Sequence, residues 1–294
     1  METKRTTFPN KALPYAFIAP QLLITLIFFI WPAAQAIRAS FERQDPFGFS
    51  TTFIGLAQYA RLLQDQYYLA SISRTLGFAA AVTIISMGLG LLLAVAVSRL
   101  IRGTQVYSTL LVWPYAVAPV VAGVLWWFMF NTSTGVLSYV LRVFGVHWNH
   151  NLNGTHAMIL IIVAAAWKQI SYNFLFFLAG LQSVPQSLSE AAAIDGAGPF
   201  KRFFTIILPL LSPTTFFLFI INVNYTMFDT FGIIAGTTHG GPNQATNTLV
   251  YKVYADGFIG LNLGSSSAQS VMLMLFVVLL TVIQFRYVER RVQY

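Results

Sequence analysis

This chain has no cysteine and very little charge. The first absence excludes disulfides, thiolate-held zinc and iron–sulfur clusters. The second excludes an ordinary soluble domain. Only 9% of the 294 residues are Asp, Glu, Lys or Arg, whereas soluble domains carry about a quarter. With 56% hydrophobic residues and a mean hydropathy of +0.67, the solvent that fits this chain is lipid. Acidic residues are scarcest of all, nine scattered over loops and helix ends. They form no paired-carboxylate or Ser/His/Asp arrangement, which disfavours an intramembrane enzyme. No glycine is followed by Lys-Ser or Lys-Thr, so the chain lacks the phosphate-cradling loop of an ATPase.

What is present is apolar and aromatic. The 26 Phe and 6 Trp suit lipid-facing and interfacial surfaces. A membrane span needs about 20 mostly apolar residues, and six windows qualify: 13–37, 75–98, 103–130, 157–181, 203–230 and 267–285. The first is too long for the core of a signal peptide, carries Pro20 and Pro32, and lacks a small-residue cleavage site. It reads as a retained helix.

The net charge of +8 is not a nucleic-acid footprint, because the basic residues sit at the ends of apolar runs. Lys4, Arg5, Lys11, Arg99, Arg102, Lys201, Arg202, Arg286, Arg290 and Arg291 fall on one side of a six-span layout. These ten occupy about 50 positions, against six basic residues in about 100 positions of the opposite loops. Basic residues favour the cytoplasmic side, which places both termini there. The expected architecture is all-α and integral to the membrane, with six transmembrane helices. Its parts are a tail 1–12, a first span with its outer loop 13–69, a core 70–286 and a tail 287–294. The first outer loop contains Phe47, Gly48, Phe49 and a surface helix around Leu56 and Leu63; the last contains the turn Gly240-Gly241-Pro242, then Leu249, Val253 and Phe258 among polar residues.

The loop 183–203 is the most informative stretch. It contains Ser187-Leu188-Ser189-Glu190-Ala191-Ala192-Ala193-Ile194-Asp195-Gly196-Ala197-Gly198-Pro199. Ser187 and Glu190 have capping-box spacing, and the alanines favour helix. Gly196 can take the positive φ that ends a helix, and Pro199 fits the first turn of another. The expectation is a helix, a sharp turn and a second helix, forming an elbow on the cytoplasmic side.

Polar residues inside the apolar windows are candidate translocation-pathway groups. Lys168 lies within the fourth window, where an ammonium must be paired, hydrated or snorkelling, or must contact an anionic cargo. Asn173, Asn222, Asn224 and Tyr225 either line a cavity or bond between helices, and Asp229 sits near the outer end of the fifth window. His147, His150 and His156 share one outer loop without a ligand-like pattern.

The elbow carries a resemblance. Glu190-Ala191-Ala192, Gly196, then Ile206 and Leu208-Pro209 resemble the EAA loop of binding-protein-dependent ABC importer permeases. Asp195, Ala197, Phe203 and Pro213 are similar to the carbohydrate-uptake branch. Leu178-Ala179-Gly180-Leu181-Gln182 and Pro185, the Gly240-Gly241-Pro242 loop, and Phe53-Ile54-Gly55-Leu56 with Tyr59 extend the likeness over nearly the whole chain. The resemblance implies a type I importer bundle and docking of the elbow on a separate ATPase. Glu190 would then touch the ATPase, Gly196 would allow the turn, and Asp195 would brace the elbow or pair with a partner arginine. It also implies four kinds of partner: a second homologous permease, two ATP-binding-cassette subunits, an external binding protein and the bilayer. ATP and Mg would sit on the ATPase, with no cofactor on this chain. The wording of 113–119, 167–177 and 284–289 resembles permeases for sn-glycerol-3-phosphate, which implies that cargo or a glycerophosphodiester. A neutral sugar or sugar alcohol is the alternative within the family. An ion-driven secondary transporter is the alternative outside it, although neither an inverted repeat nor an ionisable relay is visible.

Overall fold

A computed structural model describes residues 13–45, 50–98 and 104–288. Lys4, Arg5, Lys11, Arg99, Arg102, Arg290, Arg291, the loop residues Phe47, Gly48 and Phe49, and the tails 1–12 and 289–294 lie outside the described residues. The chain opens with α1 (Pro14–Ala39). A two-stranded antiparallel hairpin follows, β1 (Glu42–Gln44) and β2 (Thr51–Phe53), with Glu42 opposite Phe53. Next come the surface helix α2 (Ala57–Gln64), the long α3 (Gln66–Ser98), α4 (Thr104–Ala116), α5 (Pro119–Met129) and α6 (Val136–Val143). The second half holds α7 (Gly154–Ser183), α8 (Gln186–Ile194), α9 (Pro199–Leu210) and α10 (Ser212–Asp229). It closes with α11 (Phe231–Thr237), α12 (Leu249–Tyr254) and α13 (Leu263–Arg286).

Helices α1, α3, α7 and α13 are each long and apolar enough to cross a bilayer unbroken. The third and fifth expected spans are not single helices. Helices α4 and α5 meet at a bend of 101°, and α9 and α10 at 67°. Counting each broken pair as one pass gives six. The first break has a local cause: a residue before proline is pushed out of the helical region, and Ala118, before Pro119, sits at φ −60°, ψ 141°. At the second, Leu211 adopts φ −82°, ψ −2° as the N-cap of α10, whose second residue is Pro213.

Two further prolines leave a different mark. Within α1 and α9 the helix widens by one residue into π turns at Leu26–Ile30 and Phe203–Ile207, each ending two residues before a proline, Pro32 or Pro209. Proline lacks an N–H and its ring crowds the carbonyl four residues back. In each case that carbonyl, of Phe28 or Thr205, lies inside the widened turn, so the helix continues through the proline without a sharp break.

Helices α3 and α7 form the centre of the bundle. A side chain at Gly90 of α3 would stand 2.7 Å from the Asn173 Cβ of α7, so the two backbones approach closely only because that residue is glycine. Phe78, Val82, Leu160, Ile161, Ala164, Ile233 and Ile234 are buried between α3, α7 and α11. At the end of α7 remote from the elbow, Lys252 of α12 pairs with Asp256 at 3.0 Å and reaches Asp65 at 3.9 Å. Gln269 of α13 donates to the same Asp256 carboxylate, and this cluster pins the last loop. The surface helix expected near Leu56 and Leu63 is α2, anchored by buried Leu62. In the last loop Leu249 is buried, while Phe258 is exposed. Helix α1 packs on α13 and β1 only through its C-terminal part. None of its apolar window is buried in the chain, and it is held near its C-terminal end by a 2.7 Å hydrogen bond between the Ser40 and Tyr59 hydroxyls.

Candidate functional site

The elbow follows α7 directly. Pro185 (φ −60°, ψ 123°) turns the chain and its carbonyl accepts from Leu188 N–H, starting α8. The expected capping box is therefore not made: Ser187 already lies inside α8, two positions past the N-cap Pro185, and no side chain caps this helix. The other end of α8 follows expectation. Gly196 adopts φ +80°. Its N–H bonds to the Ala193 carbonyl at 3.1 Å, and the Ala197 N–H bonds to the Ala192 carbonyl at 2.9 Å. This pair of bonds is the Schellman closure of a helix C-terminus. Gly198 then leads into Pro199, the first residue of α9.

A clamp that the sequence reading missed closes the angle. Arg202 of α9 donates to the Ser189 carbonyl of α8 at 3.2 Å. Beneath it a cavity of 560 Å³ is lined by Leu181, Gln182, Pro185, Ser189, Arg202 and Ile207. The outer surface of the elbow is left open. Glu190, Ala191 and Asp195 are exposed, Ala192 and Ala197 are half-buried, and Ile194 and Phe200 are 87% and 80% exposed. Glu190 and Ile194 are four residues apart and share a helix face. The elbow thus presents a carboxylate beside bare apolar side chains on a turn whose backbone is already satisfied, which is the form of a docking knob.

The second site lies in the middle of the bundle. Lys168 is buried on α7, and its Nζ donates to the Tyr115 carbonyl at 2.6 Å while lying 5.0 Å above the Tyr115 ring. The reason is in the backbone. A helical carbonyl is normally bonded by the N–H four residues on. For Tyr115 that residue is Pro119, which has none. Lys168 supplies the missing donor from another helix, at the negative end of the broken half-helix α4. This is a structural partner for the buried cation.

Beside Tyr115, a cavity of 230 Å³ is lined by Gln169, Tyr172, Asn224, Tyr225 and Asp229. Tyr225 is buried and donates to the Ala165 carbonyl at 3.2 Å. It opens a π turn, Tyr225–Asp229, that ends in the exposed carboxylate of Asp229. Among the described residues no direct ion pair joins Lys168 to Asp229. Asn224 spends one amide hydrogen on the Ile220 carbonyl of its own helix.

Asn173 and Asn222 belong elsewhere. Both are fully buried, and they bond to each other in both directions, at 2.7 and 3.1 Å. Ser86 of α3 donates to Asn222 at 2.8 Å. They join α3, α7 and α10, the second of the two roles left open for them, and are not among the residues that line the cavity. Tyr115, Gln169 and Tyr172 were absent from the sequence-based candidates. Pro119, four residues after Tyr115, was the one signal that could have found the Tyr115 carbonyl. Among the described residues the outer-loop histidines form no metal-holding group: His156 Nδ1 accepts from the Asn149 N–H, whereas His150 is 2% exposed against Trp127.

Residues 86–294 match the family described as binding-protein-dependent transport system inner membrane component. The chain is 59% identical to the sn-glycerol-3-phosphate transport system permease protein UgpA of Rhizobium meliloti strain 1021, covering 99% of both chains. It is 55% identical to the protein of that name from Yersinia pseudotuberculosis, covering all of both. Its fold is similar to a chain of a bacterial alginate ABC transporter solved in complex with an alginate pentasaccharide-bound periplasmic protein. There the TM-score is 0.83 at 20% identity, over 96% of this chain and 95% of the other.

Proposed function

The chain belongs to the binding-protein-dependent family of transport-system inner-membrane components, and from that footing we propose that it forms half of an ATP-driven import pathway for sn-glycerol-3-phosphate. It is a multi-pass inner-membrane permease. The observation that carries the cargo is the 55–59% identity, end to end, to relatives bearing that name. Its partners are a second homologous permease, two ATP-binding-cassette ATPases and an external binding protein. ATP and Mg belong to the ATPases.

The elbow is the coupling point. Glu190 offers a carboxylate to the ATPase surface, Ala191 and Ala192 keep the docking face low, and Asp195 with Gly196 and Ala197 hold the turn. A closed elbow clamped by Arg202 moves as a unit, so displacement at the ATPase reaches α7 and α9 undiminished. Between α7 and α10, the cavity at Gln169, Tyr172, Asn224 and Tyr225 supplies hydroxyl and amide groups for the hydroxyls of the cargo, with the Asp229 carboxylate beside them. Lys168 holds the break between α4 and α5 at its wall.

The test is reconstitution of the four-component complex, with glycerol-3-phosphate-loaded binding protein added and ATP hydrolysis and uptake measured. Stimulated hydrolysis that Glu190→Ala abolishes, without loss of assembly, supports the importer and its docking point. Uptake that proceeds without ATP sinks the importer reading. Preferential uptake of a neutral sugar moves the cargo elsewhere in the family.

A further inference from the structure

Helix α6 is apolar on two of its three faces. Leu137 and Leu141 turn inward and pack against the core cluster that holds Phe130 and Leu160. Ser138 and Arg142 form the second face, and both are tied back to the end of α5. The Ser138 hydroxyl donates to the Phe130 carbonyl at 2.6 Å, and the Arg142 guanidinium donates to the Thr132 carbonyl at 2.9 Å. Val136, Tyr139, Val140 and Val143 recur at the three- and four-residue spacing of a third face, and Phe144 extends it. These five side chains are 42–80% exposed, with no charge or amide among them. Gly145, at φ +80°, ends the helix sharply: its N–H bonds to the Arg142 carbonyl at 3.0 Å, and the Val146 N–H bonds to the Leu141 carbonyl at 2.9 Å. The rotation of α6 is thus fixed by its own contacts, and those contacts leave the apolar face turned outward.

The level of α6 in the bundle is fixed as well. Phe130, the last residue of the α5 turn that holds Ser138, stacks on Trp148 at 4.7 Å, and Trp148 stacks on His156 at 4.6 Å. His156 lies in the first turn of α7, and the apolar run of that helix starts at the next residue, Ala157. Helix α6 therefore sits where a membrane pass begins, on the side remote from the elbow, which is the depth of the lipid headgroups. We propose that α6 is an interfacial helix whose Val136, Tyr139, Val140, Val143 and Phe144 side chains enter the leaflet remote from the elbow. A helix with such a face lies along the membrane surface, its apolar side about 5–10 Å into the headgroup and acyl boundary. The exposed Arg142 guanidinium on the neighbouring face suits the headgroup layer. A soluble partner fits less well, because interfaces between proteins that come and go are about four-tenths polar, and this face offers only the Tyr139 hydroxyl. So seated, α6 holds the far end of α5 at a constant depth while that half-helix pivots at the Ala118 break. This seating needs the membrane passes and is independent of the cargo.

The chain has no cysteine, so a single one can be introduced and labelled selectively. Val140→Cys and Val143→Cys, with Ser133→Cys in the exposed loop before α6, are each labelled with a fluorophore in the complete transporter in phosphatidylcholine nanodiscs. The unsubstituted complex is the blank for the other subunits. Phosphatidylcholine carrying a nitroxide near the top of its acyl chain should quench the labels at 140 and 143 about twofold or more, whereas aqueous iodide should quench the label at 133 alone. A fluorophore can enter lipid through its own apolarity, so the label at 140 is also read in Val143→Glu and Val143→Leu. A helix seated by its face loses the lipid quenching in the first and keeps it in the second. Quenching that survives Val143→Glu overturns the interfacial seating, and so does iodide quenching at 140 and 143, which leaves the face in water. Shielding from both quenchers overturns it in favour of another subunit. Shielding from iodide that appears only when the binding protein is added overturns it in favour of that partner.

Discussion

The Lys168 ammonium donates to the Tyr115 carbonyl at 2.6 Å, and this carbonyl is the one that Pro119 leaves without a helical donor. A charge in the fourth span and a break in the third are therefore two halves of one arrangement. Lys168→Met removes the donor and strands a buried carbonyl, which costs about 1–3 kcal/mol. Pro119→Ala in the same chain should recover part of the loss, because without the proline the helix can run on through Ala118 and bring an N–H at 119 to Tyr115. Thermal unfolding of the purified single and double variants checks this, and strict additivity refutes the coupling.

Gly90 and Gly88 lie two residues apart on α3 but face different surroundings. A methyl group at Gly90 meets Asn173 at 2.7 Å and the Phe174 backbone N at 3.0 Å, whereas at Gly88 it meets nothing within 4 Å. Gly90→Ala should destabilise by about 1–3 kcal/mol, by forcing α3 off α7. Gly88→Ala should be neutral or stabilise by up to about 1 kcal/mol. Equal midpoints for the two variants would mean that the close approach at Gly90 contributes nothing.

The reciprocal amide bonds of Asn173 and Asn222 predict a coupled pair. Each change to Leu leaves its partner amide buried and short of bonds. The double change removes both, so its cost should fall below the sum by about 0.5–2 kcal/mol. A double-mutant cycle on denaturant midpoints measures this coupling directly.

At the elbow, the space around Gly196 is open and only the backbone restricts the residue, through φ +80°. Gly196→Ala should cost about 1–2 kcal/mol and lower coupled ATP hydrolysis, while Gly196→Asn, which tolerates this region, should cost less. If alanine is tolerated as well as asparagine in both readouts, the left-handed closure is dispensable.

Burial pushes the His150 imidazole below its usual value near 6.5; the Phe130 backbone opposes this, and the neighbouring His156 adds to it. The native state thus takes up a proton less readily than the unfolded chain. The contribution to stability is complete above about pH 6.5 and is lost as pH falls through the lowered native value. Hydrogen exchange over 144–153 should therefore quicken on acidification, and His150→Gln should flatten that dependence.

The elbow was legible because its code is local: Gly196 and Pro199 dictate their own backbone, whatever surrounds them. The same local reading misplaced the helix start. The spacing of Ser187 and Glu190 fits a capping box in one frame, and Pro185 sets another. The six apolar windows located the membrane passes but not their bends. Proline is tolerated inside membrane helices, so Pro119 and Pro213 alone did not separate a kink from a break. The lining of the central cavity was least legible. Asn173, Asn222 and Asn224 look alike in an apolar run, and only the facing of α3, α7 and α10 assigns the first two to each other.

Helix α1 is fastened near its C-terminal end, at Ser40 and Tyr59 and by packing of Trp31–Ala39 on α13, and no residue of its apolar window is fully buried by its own chain. Its tilt and rotation along most of its length are thus not encoded in intramolecular contacts. They are set by whatever lies alongside, lipid or another polypeptide. For this first stretch tertiary structure is completed only by assembly, and mutations on its bare face should leave the isolated subunit intact and register only once the complex has formed.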